Sequence, residues 1–231
     1  MLRLIKKEKP HKTRPGKIAL TLKAHDINVV LDVGGNVGQT GQQLRASGYT
    51  GRIVSFEPIP SAHRALVKAA AGDSMWQVPD RVALGAQNGT VTLYESETSD
   101  MSSAYAATDP LLTALPRTRV VAEWQTPVTT LEAAIKQHCR AGDRVFVKID
   151  TQGFEKQVLE GIGNAWPQIT GLQVEMSLFP LYEGEATFME LCSTILAKGF
   201  EPHLMLETTF SRKLNRQLQV DGVFFTKSRE A

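Results

Sequence analysis

Val30-Leu31-Asp32-Val33-Gly34-Gly35-Asn36-Val37-Gly38 decides the fold. A short apolar run enters a glycine-rich turn, and a helix-forming stretch from Gln39 to Ala46 follows at once. Asn28 to Val33 has few polar interruptions, as a strand buried on both faces of a parallel sheet would. The glycines let the backbone turn sharply and approach a ligand where a Cβ would collide. The helix beyond them directs its free N–H groups at the same spot, which favours a carboxylate or phosphate. Strand, glycine turn and helix together open a doubly wound α/β sheet.

Downstream the alternation recurs. Arg52 to Phe56 reads as the second strand, Pro58 and Pro60 shape the turn after it, and Ser61 caps a helix to about Ala71. Trp76 to Leu84 reads as a third strand bent or broken at Pro79, and Asn88-Gly89 marks a small hairpin between Val82–Gly85 and Thr90–Tyr94. From Glu95 to about Arg119 no period is sustained, which predicts a long excursion over the sheet, a lid or substrate loop at about 95–127. Order resumes with a helix at Thr130–His138, a strand at Arg144–Ile149, a helix from Phe154 and a strand at Gly171–Met176. An amphipathic helix at Ala186–Lys198 and two late β runs, Phe200–Leu206 and Gln219–Thr226, complete the pattern, the last two suited to antiparallel pairing. Strands separated by helices imply right-handed crossovers, a mostly parallel sheet and helices on both faces. Ligands then bind just beyond the strand ends.

The chain of 231 residues fits a basic lead-in over 1–25 and a single domain over 26–231. A net charge of +2 gives no reason to expect nucleic acid as a partner. No stretch approaches the roughly 18 apolar residues of a membrane span. Lys6, Lys7, Lys9, Lys12 and Arg14 are followed by no apolar core of a secretory signal, so the segment reads as a solvated lead-in. Cys139 and Cys192 form neither a metal-type pair nor a disulfide framework and suit packing in a reducing, cytoplasmic compartment.

The spacing discriminates between cofactors. A dinucleotide fingerprint places glycines at intervals of two and then three, but from Gly34 those places hold Asn36 and Gln39. Nor is there a Gly-Lys-Ser/Thr phosphate loop. Glu57 closes the second strand, where a carboxylate accepts hydrogen bonds from both hydroxyls of a ribose.

With Arg52-Ile53-Val54-Ser55-Phe56-Glu57-Pro58, Val82-Ala83-Leu84-Gly85 and Met101-Ser102-Ser103, the chain resembles the FkbM family of S-adenosylmethionine-dependent methyltransferases. The resemblance continues through Val147-Lys148-Ile149-Asp150-Thr151-Gln152-Gly153-Phe154-Glu155, Pro180-Leu181-Tyr182-Glu183-Gly184 and Val220-Asp221-Gly222-Val223-Phe224-Phe225. It implies a Rossmann-like class I methyltransferase fold, with a mostly parallel seven-stranded sheet and an antiparallel C-terminal strand. It further implies S-adenosylmethionine as cofactor. The turn of Gly34, Gly35, Asn36 and Gly38 would hold its methionine part, with Asp32 helping to bind the amino group. Glu57, with Pro58 beside it, would take the ribose, the backbone near Ala83 would flank the adenine, and Ser103 would bring the excursion to the site. Two departures stand out. The family commonly has Ala where this chain has Gly35, a difference expected to cost nothing sterically. It also often has Val-Glu-Gly-Ala-Glu where this chain has Thr151 to Glu155, which puts in doubt any role for a carboxylate at 152.

A methyl group on a sulfonium needs no covalent nucleophile. The protein has to align the acceptor and help remove its proton. Asp150, ending the fourth strand, is the leading catalytic candidate, joined by Glu155 on the first turn of the next helix. Glu175 ends a further strand nearby, but no tight ligand spacing supports a metal, so none is expected. O-methylation of a small molecule or sugar is the leading function. N-methylation on the same scaffold, or a non-catalytic cofactor-binding protein, stay open.

Overall fold

The computed structural model describes residues 9–227. Lys6 and Lys7 of the expected lead-in lie outside them. Helix α1 (Arg14–Ala24) precedes β1 (Val29–Val33), α2 (Gln39–Ala46), β2 (Arg52–Phe56), α3 (Pro60–Ala70), β3 (Trp76–Gln77) and β4 (Ala83–Leu84). Next come β5 (Gly89–Ser96), α4 (Asp109–Ala114), β6 (Val120–Thr129), α5 (Leu131–His138), β7 (Val145–Ile149) and α6 (Glu155–Glu160). The chain continues through β8 (Ile169–Ser177), α7 (Phe188–Ala197), β9 (Phe200–Glu207), the small ribbon β10 (Phe210–Ser211) and β11 (Arg216–Gln217), and β12 (Gln219–Thr226).

Seven strands form the main sheet in the order β3-β2-β1-β7-β8-β12-β9. β3, β2, β1, β7 and β8 pair in parallel, and β12 runs antiparallel to both β8 and β9. The order reverses between β1 and β7, so the cleft opens beyond their carboxyl ends. Register aligns those ends, since Val33 pairs with both Phe56 and Ile149. Gly34, Glu57 and Asp150 therefore leave the sheet side by side.

Residues alternate faces along each strand. Val30, Ile53 and Phe146 pack with Leu22, Leu44 and Leu66 of the first three helices. Leu31, Val54 and Val147 pack on the other face with Leu131, Val158 and Leu191 of α5, α6 and α7. Both faces are covered, and each five-residue strand β1 and β7 is buried throughout.

Three expectations are corrected. The segment read as a solvated lead-in becomes helical at Arg14, because Thr13 accepts a hydrogen bond from the Gly16 N–H, Pro15 suits the first turn, and Leu22 reaches the core. Asn88-Gly89 closes no hairpin with β4. Both β4 and β5 pair instead with β6, parallel and antiparallel respectively, in a separate three-stranded sheet. The irregular excursion ends where β6 begins, and it has a core of its own. Leu111 is fully buried with Leu181, Tyr182 and Leu218, residues far away in sequence. Among the described residues no helix is long and apolar enough to cross a membrane.

Candidate functional site

The turn after β1 is built on left-handed backbone that favours glycine. Gly34 has φ +82° and Gly38 φ +94°, and a Cβ on Gly34 would lie 1.9 Å from the Asp150 carbonyl oxygen. Asn36 also takes a positive φ of 45°. The Gly34 and Gly35 N–H groups both donate to the Phe56 carbonyl at 3.0 Å. A Cβ at Gly35 would come within 3.0 Å of Ser55 Cβ and 3.1 Å of Leu66, so the alanine expected to fit freely is crowded in this chain.

Glu57 sits directly after β2 and fastens the turn to it. Its Oε2 accepts from the Asn36 N–H at 2.8 Å and its Oε1 from the Ile59 N–H at 2.7 Å. Burial pushes its pKa up to about 7, against the pull of those two hydrogen bonds. Each oxygen keeps a further lone pair, and the side chain lines a cavity of about 280 Å³ beyond the strand ends. Pro58, Ile59, Val82, Leu84, Leu93 and Phe154 give that cavity an apolar side.

A chain of buried charges occupies the end of β7. Lys148, a lone cation in an otherwise apolar strand, places Nζ 3.1 Å from Asp150 Oδ2 and 3.5 Å from Asp32 Oδ1, and donates to the Gly34 carbonyl at 3.3 Å. Burial opposes its charge, but the two carboxylates outweigh that and raise its pKa. Asp32 is fully buried, and Ser55 Oγ donates to its other oxygen at 2.8 Å. Gln152, in a left-handed conformation, donates its amide to both Asp150, at 2.8 Å, and Glu175. Its carbonyl accepts from the buried Tyr182 hydroxyl at 3.0 Å. Desolvation works against the Asp150 charge, yet Lys148 and Gln152 hold its pKa below the ordinary value. Burial and the Asp150 charge drive Glu175 well above it.

Glu155 holds the loop between β7 and α6. Its Oε1 accepts from the Thr151 N–H at 2.8 Å and hydroxyl at 3.1 Å, and its Oε2 from the Gly153 N–H at 2.9 Å. Burial pushes its pKa up to about 7.

The structure brings Gly34, Gly35, Asn36, Glu57, Pro58, Ala83, Ser103 and Asp150 to the cavity wall. Asp32, Gly38 and Glu155 lie behind it. Ser103 is bonded in both directions to Tyr94 and donates to the Gln152 carbonyl, which ties the excursion to the β7 loop. Lys148 and Gln152 were quoted in the sequence motif without a role. The signal for Lys148 was a charge inside a buried strand. Gln152 carried none, because its partners Glu175 and Tyr182 are distant in sequence.

A mostly parallel seven-stranded sheet with an antiparallel β12, and a cavity at its switch point, defines the class I methyltransferase fold. The sequence model of the methyltransferase FkbM domain matches residues 32–202. The chain belongs to that family and is an S-adenosylmethionine-dependent methyltransferase. A search among curated proteins finds no match. The structure of magnesium protoporphyrin IX methyltransferase from Synechocystis PCC 6803, solved with bound S-adenosylmethionine, is similar at a TM-score of 0.51 and 11% identity, over 94% of this chain and 80% of that one. The fibrillarin pre-rRNA processing protein of Methanococcus jannaschii is similar at 0.50 and 12% identity, over 87% and 67% of the two chains.

Proposed function

We propose that the chain methylates a hydroxyl of a small molecule or sugar, with Asp150 as the base that takes the hydroxyl proton. The observation that carries this is exposure. Of the three carboxylates around the β7 end, Glu155 and Glu175 are buried behind the wall, whereas Asp150 lines the cavity with 31% of its side chain open. Lys148 and the Gln152 amide hold Asp150 ionised and fix its direction. A hydroxyl has a high pKa, and an ionised carboxylate within hydrogen-bond reach can take its proton as the new C–O bond forms.

The wall fits the cofactor. The Glu57 carboxylate suits a ribose diol, the apolar side suits an adenine flanked by Ala83, and the turn of Gly34, Gly35 and Asn36 clears space that a Cβ at Gly34 would close. S-adenosylmethionine supplies the methyl group on a sulfonium, a good leaving group. Asp32 and Gly38 act from behind, Asp32 by holding Lys148 and Gly38 by letting α2 start tight against Trp76. Glu155 positions Asp150 through the backbone of the 151–153 loop.

The test is to incubate the protein with methyl-labelled cofactor and a panel of hydroxyl-bearing small molecules and monosaccharides, then locate the label by mass spectrometry. Label on oxygen is expected. Label on nitrogen alone, from a matched amine panel, would overturn the reading.

A further inference from the structure

Among the described residues two cations line the cavity, Lys148 and Arg14. Lys148 is engaged by Asp32 and Asp150 and donates to the Gly34 carbonyl. Arg14 is different. It sits in the first turn of α1 with Pro15 and Ile18, which also line the cavity. Its Nη2 pairs with Asp221 of β12, a carboxylate only 2% exposed, while 44% of the arginine side chain stays open. Gln173, another wall residue, donates to the same Asp221 oxygen at 2.8 Å and fixes that carboxylate from a second side. A guanidinium has five N–H donors, so the pairing with Asp221 leaves most of them free. Arg14 falls outside the stretch matched to the family, 32–202, and Asp221 belongs to the C-terminal motif of the resemblance.

S-adenosylmethionine carries one carboxylate, and its α-ammonium and sulfonium are positive. The cavity wall offers carboxylates for positive or hydroxyl groups at Glu57, Asp100 and Asp150. Its one negative group needs a cation with donors to spare, and planar bidentate recognition of a carboxylate is what a guanidinium does best. We infer that Arg14, tethered by Asp221, binds the carboxylate at the amino-acid end of the cofactor. The inference rests on the cofactor reading of this cavity. It makes α1 part of the binding site and gives the buried Asp221 a purpose, that of holding the guanidinium in place before the ligand arrives.

Calorimetric titration with two probes separates the possibilities. S-adenosylhomocysteine keeps the amino-acid end, and 5′-methylthioadenosine has the nucleoside and thioether without it. Arg14→Gln is expected to weaken S-adenosylhomocysteine by roughly 10–100-fold, the range of a charged hydrogen bond, and to leave 5′-methylthioadenosine unchanged. Arg14→Lys, which keeps the charge but loses the fork, should fall between. Equal loss of both probes would mean that Arg14 only anchors α1, and that overturns the inference. So would unchanged S-adenosylhomocysteine affinity with a raised KM for acceptor, which would assign Arg14 to the acceptor. A wild-type protein that binds neither probe would sink the cofactor reading itself, and this inference with it.

Discussion

Glu57 after β2 and Glu155 at the head of α6 are built alike. Each is buried, each gives one oxygen to one backbone N–H and the other oxygen to another, and burial pushes each pKa up to about 7. Both stand where the chain leaves the sheet and its N–H groups lose their ladder partners, which must be replaced. They differ in what lies on their open side. Glu57 faces the cavity, whereas Glu155 lies behind its wall and accepts a third hydrogen bond from the Thr151 hydroxyl. The same carboxylate clamp thus faces the cavity at one strand end and the scaffold at the next. Between them the Asp150 carboxylate, held by side chains alone, stays partly open towards the cavity.

The largest expected effect separates Asp150 from both clamps. Asp150→Asn keeps the shape and removes the base, so turnover on the true acceptor should fall by roughly 10²–10⁴ with little change in S-adenosylhomocysteine affinity. Full activity in that variant would end its role. Next comes the turn that Glu57 fastens. Gly34→Ala combines φ +82° with a backbone clash at 1.9 Å, so it should cost about 2–4 kcal/mol in denaturant unfolding. Gly48→Ala, at φ +90° with nothing within 4 Å, should cost about 1 kcal/mol. Equal costs would mean that the close approach to Asp150 is not what constrains Gly34.

The pH dependence of stability compares the clamps directly. Each glutamate has a folded-state pKa raised from 4.5 to about 7, so the native state holds its proton longer than the unfolded chain does. The stability each contributes is full below about 4.5 and is lost as pH rises through about 7, by at most about 3 kcal/mol per group. Glu155→Gln should therefore flatten the decline of unfolding free energy across that window. An unchanged slope would show that Glu155 does not titrate there. The smallest effect concerns the excursion, where Ser99 donates to Asn36 at 2.9 Å. Hydrogen exchange over residues 97–119 should slow on binding of S-adenosylhomocysteine, and equal exchange with and without it would mean a static wall.

The glycine turn, Glu57 and the strand–helix alternation were legible in the sequence because each rests on local chemistry. A run of β-branched residues, a glycine spacing and a carboxylate after a strand are visible within a few residues. What escaped depends on distant pairs. Leu111 gains its burial from Leu181 and Leu218, so the excursion looked coreless. Arg14 meets Asp221 across 207 positions, so its helix looked like a basic lead-in even though Thr13 and Pro15 carried the start signal. Glu57 and Glu155 read as two acids after two strands, and only the packing of Thr151 and Gly153 around one of them sets their faces apart.

One measurement tests that distinction, and with it the placement of the cofactor, most directly. It is calorimetric titration of S-adenosylhomocysteine into the wild type, Glu57→Gln and Glu155→Gln, at a temperature where all three are folded. A ribose held by Glu57 predicts tight binding by the wild type, a loss of roughly 10–100-fold in Glu57→Gln, and near-wild-type affinity in Glu155→Gln. Affinity that survives in Glu57→Gln and collapses in Glu155→Gln would contradict the assignment of the two strand ends.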